Sequence, residues 1–157
     1  MQTREGAGAP SAALAGMLAD LEHTLAEERA AIEGLRAHYQ ELLRRLKNER
    51  AHAHDLAWAL EELEQRLRDL EAQREGPPDP LLERELASVA HQRAVLEEQA
   101  LAQMLTVDEL AARCAAEAQA LAERQRAWAA REAALLAERE RIRELLRRQR
   151  PEEGNQG

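Results

Sequence analysis

From Leu14 onward, alternate steps of four and three residues land on Leu18, Leu21, Leu25, Glu28, Ile32, Leu35, Tyr39, Leu42, Leu46, Glu49, Ala53, Leu56, Leu60, Leu63, Leu67 and Leu70 without a slip. On a straight helix of about 3.6 residues per turn, a seam with a period of about 3.5 drifts sideways. An apolar seam held in register this long therefore predicts a helix wound left-handed about a partner helix, with Leu filling most of the core positions. The positions without leucine are Glu28, Ile32, Tyr39, Glu49 and Ala53.

The rest of the composition agrees. Charged residues make up 33% of the chain and aromatic residues 2%, with no Phe, so strands lack the residues that fill a pleated face. Leu, Ala, Glu, Arg and Gln lose least on entering a helix. Hydrophobic residues still reach 45% in regular spacing, which sets the chain apart from disordered polyampholytes.

The seam ends at one Gly/Pro cluster, Gly76-Pro77-Pro78-Asp79-Pro80. Gly76 stands where a left-handed residue would close the first helix, and Pro77 and Pro78 prevent its continuation. Asp79 is placed to cap the next helix, with Pro80 at its first position and Glu83 and Glu85 in its first turn. So short a connection favours antiparallel neighbours. The expected division is a disordered stretch over 1–10, a first helix over 11–75, a turn over 76–80, a second helix over 81–150 and a disordered tail over 151–157.

Past the turn, the same steps from Leu82 reach Leu86, Val89, Arg93, Leu96, Ala100, Gln103, Val107, Leu110, Cys114, Glu117, Leu121, Arg124, Trp128, Arg131, Leu135, Glu138, Ile142 and Leu145. Alternate positions turn polar towards the end, so this seam is weaker. Folding the chain about Pro78 sets Leu70 against Leu86, Leu67 against Val89, Leu46 against Leu110, Leu42 against Cys114, Leu21 against Leu135 and Leu14 against Ile142. Polar seam residues find company in the same register: Glu28 falls beside Trp128, between Arg124 and Arg131, and Tyr39 faces Glu117. A carboxylate in a seam is costly unless paired, so these five polar residues form the expected register cluster. The expected fold class is all-α: a long antiparallel two-helix coiled-coil hairpin, on the order of 100 Å long at 1.5 Å per residue, which as a dimer would form a four-helix assembly. Thr106-Val107-Asp108-Glu109 matches a capping box, but the frame runs through it and one continuous helix is preferred.

Chemistry is harder to find. His23, His38, His52, His54 and His91 include no pair at the i,i+4 spacing that shares a helix face, so no metal is expected. The one cysteine, Cys114, excludes an internal disulfide and suits a small apolar seam position. Glu28 with Arg124 and Arg131 has no concave pocket around it on a two-helix rod. The sequence shows no Gly-rich phosphate loop, no Ser/His/Asp arrangement and no CxxC. A non-enzyme without cofactor or small-molecule substrate is expected. The absence of a signal-like segment or of about 18 consecutive apolar residues points to a cytoplasmic protein without membrane contact.

Surface for a protein partner or a second copy of the chain remains. Ala111 and Ala118 on one side of the second seam, and Ala120, Ala127 and Ala134 on the other, widen the apolar stripe and permit close approach of another helix. Trp58 occupies an outward position among His54, Asp55, Glu61 and Glu62, and Trp is enriched at interaction hot spots. A net charge of −8 disfavours nucleic acid. The arginines from Arg139 to Arg150 are read first as complements to a helix C-terminus, and otherwise as a regulatory contact with nucleic acid.

The segment from Pro78 to Met104, with Asp79-Pro80 at its start and Leu96-Glu97-Glu98 within it, resembles the post-turn segment of bacterial zinc-ribbon coiled-coil proteins. In that family a long helical hairpin precedes a four-cysteine zinc ribbon. With Cys114 outside any CxxC, the resemblance implies only the hairpin and a scaffold or chaperone-like role, and carries over no metal or nucleic-acid contact.

Overall fold

The structure, a computed structural model, describes the backbone of residues 5–154 and the side chains of residues 9–149. Two helices, α1 (Glu5–Gln73) and α2 (Pro80–Gly154), form an all-α hairpin, with no strand among the described residues. The helices take in 5–10 and 151–154, and positions 1–4 and 155–157 lie outside the described residues. Pro10 is accommodated inside α1. Only about one turn precedes it, and its missing N–H forfeits a single bond, to the Gly6 carbonyl.

The turn is built differently at its start from what the glycine suggested. No glycine among the described residues has a positive φ. The end of α1 instead tightens into i→i+3 bonds, Arg74 N to Glu71 O at 3.1 Å and Gly76 N to Gln73 O at 3.4 Å. Pro77 excludes the α conformation for the residue before it, so the helix stops without a left-handed residue. The start of α2 is as expected. The Asp79 carboxylate accepts from Leu81 N at 3.0 Å and its carbonyl accepts from Glu83 N at 3.1 Å. Arg74 and Glu83 bridge the turn at 2.8 Å.

The chain divides into two compact units, each drawing one stretch from each helix. In the unit made of 1–38 and 118–157, Leu21, Leu25, Ile32, Trp128 and Ile142 are buried, with Leu14, Leu18, Leu121, Leu135, Leu136 and Leu146 packed against them. The expected partners Leu21 and Leu135, and Leu14 and Ile142, share this cluster. Near its end, however, Leu146 packs inward while Leu145, the heptad position, is 46% exposed. Polar Arg131 and Glu138 do not hold the seam there, so the natural drift of the helix brings the next leucine round.

In the unit spanning 39–117, Leu42, Leu46, Leu110 and Cys114 form one cluster, with Tyr39, Val107 and Ala111 against it. Leu70, Leu86 and Val89 form another beside the turn, with Leu63, Leu67 and Leu82. Both clusters contain the layers expected from the sequence. Between them Ala53, Leu56, Leu60, Leu96 and Ala100 are only half-buried. α2 runs unbroken through Thr106, whose hydroxyl donates back to the Ala102 carbonyl at 3.1 Å and so caps nothing.

Candidate functional site

The polar register cluster is only partly assembled. Glu28 is half-buried and meets Arg124 at 3.6 Å, whereas Arg131 is exposed and makes no ion pair with it among the described residues. Glu28 instead has one cationic neighbour, and Trp128 between the two arginines turns into the apolar core. Tyr39 packs on the Leu42–Cys114 cluster, and no hydrogen bond joins it to Glu117 among the described residues. The aromatic ring gains more from apolar contact than its hydroxyl would from a seam carboxylate.

Other ion pairs join the helices within each unit: Arg29 with Glu132 at 2.7 Å, Arg143 with Glu22 at 3.1 Å, Arg66 with Glu85 at 2.8 Å and Arg93 with Glu64 at 3.4 Å. All are solvated, and such pairs are worth roughly 0–1 kcal/mol each. They follow the register that the leucines set. The arginine-rich end is similarly matched by carboxylates: Arg143 and Arg147 approach Glu140, and Arg147 and Arg148 approach Glu144.

Among the described residues, no group of three or more His, Cys, Asp or Glu side chains is arranged to hold a metal ion. None of the described helices is long and apolar enough to cross a membrane.

The alanines expected to receive a partner differ in role. Ala111 is half-buried and packs against the Leu42–Cys114 cluster, and Ala118 is also half-buried. Ala120, Ala127 and Ala134 are exposed on α2. Trp58 is 60% exposed on α1, beside an open groove lined by Glu61, Glu62, Glu64, Gln65 and Arg68.

The heptad frame passes over a further group. Leu101, Met104 and Leu105 on α2 are 61%, 58% and 58% exposed. All three fall off the seam, and the signal that could have found them was an i,i+3,i+4 apolar set on the outer face. Comparison with known protein families, curated proteins and solved structures finds no match to this chain. What the geometry defines is thus a class, the all-α helical hairpin, with apolar side chains left in water on both helices.

Proposed function

We propose that the chain is a non-enzymatic scaffold or adaptor, chaperone-like in use, that binds a partner protein through a coiled-coil hairpin. The observation that carries this is the exposure of Trp58, Leu101, Met104 and Leu105 on helices that cover one another along a single face only. Two helices bury a stripe each, and the outer faces are free for a third or fourth helix. Ala120, Ala127 and Ala134 add small exposed side chains over which a helix can approach closely. The resemblance of the post-turn segment to zinc-ribbon coiled-coil proteins points the same way. Contact with nucleic acid draws less support, because arginines 143, 147 and 148 already face carboxylates.

The test is affinity capture from cells that naturally make the protein, comparing wild type with Trp58→Ala and with Ala120→Glu/Ala127→Glu/Ala134→Glu. A protein retained by wild type and lost from one of these variants, at unchanged helicity, is the expected result. Retention equal to an empty resin would remove the proposal. Sedimentation equilibrium on the same samples separates a foreign partner from a second copy.

A further inference from the structure

Leu101, Met104 and Leu105 are each more than half exposed, and they are neighbours on one helix rather than scattered. At about 100° per residue, Leu101 points half a turn away from Leu110, which is buried in the seam. Leu105 lies about 40° to one side of Leu101 and Met104 about 60° to the other. Ala94 and Ala112 extend the same face in both directions, over roughly 27 Å of helix at 1.5 Å per residue. Isolated exposed leucines are ordinary, whereas a contiguous set on an outer helix face marks a contact surface.

Between Arg93 and Arg113, which bound this stretch, the charges have one sign. From 94 to 112 the sequence has Glu97, Glu98, Asp108 and Glu109 and no Lys or Arg. Glu97 is held by Arg93 at 3.1 Å, while Glu98, Asp108 and Glu109 make no ion pair among the described residues. A second copy docking here by a two-fold axis would set these carboxylates against their own duplicates, and like charges across an interface are costly. A basic partner relieves them instead.

We infer that the outer face of α2 around Leu101, Met104 and Leu105 is a docking site for an amphipathic helix of another protein, with apolar residues at i, i+3, i+4 and flanking Lys or Arg. This rests on the reading of the chain as a partner-binding hairpin and names the surface and the chemistry of its occupant. Leu101, Met104 and Leu105 would supply the apolar contact, Met104 being the side chain best able to adapt to differing partners. Glu98 and Asp108, one turn to either side, would select for positive charge and against a second copy.

The full chain is titrated at physiological salt with two labelled synthetic peptides of about five helical turns. Both carry Leu at i, i+3, i+4 and i+7; one has Lys at the remaining positions and the other Glu. The Lys peptide is expected to bind at least about tenfold more tightly, equivalent to about 1.4 kcal/mol. Leu101→Gln/Leu105→Gln should remove that binding without lowering helicity, since both side chains are already in water. Glu98→Lys/Asp108→Lys should transfer the preference to the Glu peptide, while Glu33→Lys/Glu71→Lys on α1, both exposed, should leave it unchanged. Binding insensitive to the leucine pair, or lost equally with the α1 pair, would overturn this surface. A dimer in sedimentation that dissociates in Leu101→Gln/Leu105→Gln would also overturn it, by making the occupant a second copy. A negative peptide titration with positive capture from cells overturns the surface alone, whereas failure of both removes the scaffold reading as well.

Discussion

Gln103 on α2 donates its side-chain amide to the backbone carbonyl of Glu49 on α1 at 2.9 Å, and the same amide reaches the Glu49 carboxylate. Both residues occupy seam positions that leucine holds elsewhere, and both are half-buried. Such a polar layer contributes little net stability but misaligned registers would leave its groups without partners. Gln103→Leu alone should therefore cost about 0.5–1.5 kcal/mol, because it strands the Glu49 carboxylate. Glu49→Leu/Gln103→Leu should recover that loss or exceed wild type. Urea unfolding of the full double-mutant cycle measures the coupling, and additive single effects would contradict it.

Gly16 and Gly34 lie within α1, and a Cβ added at either meets nothing within 4 Å. Glycine in a helix interior costs roughly 0.5–1 kcal/mol relative to alanine through backbone entropy. Gly16→Ala and Gly34→Ala should each raise the unfolding free energy by that amount, read as a higher urea midpoint at unchanged m. A loss of stability would mean that these faces are occupied in solution.

At the turn, glycine and aspartate should behave oppositely. Gly76 has no positive φ, and a Cβ there meets only the Gln73 carbonyl at 3.7 Å, an ordinary contact. Gly76→Ala is expected to be neutral or slightly stabilising. Asp79→Ala removes the acceptor of Leu81 N and should cost about 0.5–2 kcal/mol. Thermal melts of both variants distinguish this turn from a glycine-dependent one.

Several features of the fold were legible in the sequence. The Pro77-Pro78 stop, the Asp79-Pro80 start and the leucine layers of each unit were, because they depend on local sterics and on apolar spacing. The conformation of Gly76 was not, since Pro77 can end a helix without a left-handed residue. Nor was the exchange of Leu145 for Leu146, because a heptad frame cannot report where a weak seam begins to drift. The exposure of Leu101, Met104 and Leu105 is not legible for a related reason: heptad spacing marks the buried stripe and carries no information on the opposite face. Heptad spacing sets Trp128 on the seam beside Glu28, but only the packing shows that its bulk fills the core with Ile32.

The two tryptophans provide separate reporters. Trp58 is 60% exposed and Trp128 only 7%, each in a different unit. Trp58→Phe should leave blue-shifted emission that acrylamide quenches poorly. Trp128→Phe should leave red-shifted, readily quenched emission and also lower stability, as expected when a core side chain is shortened. Equal quenching of the two variants would contradict this assignment.

Arg44 donates through Nε to a Glu41 oxygen at 3.0 Å and through Nη2 to the other, one turn along α1. This hydrogen bonding, with the nearby charges of Arg44 and Arg45, holds the Glu41 carboxyl below its ordinary value of 4.5. A folded value below the unfolded one means the pair's contribution is present above the unfolded value and is lost as pH falls through the folded value. Both side chains are solvated, so the effect on global stability should be small and should shrink with added salt. The direct readout is carboxyl NMR: the Glu41 midpoint should rise in Arg44→Gln, and high salt should narrow the difference from wild type. A midpoint indifferent to Arg44→Gln would mean that the bidentate pair does not persist in solution.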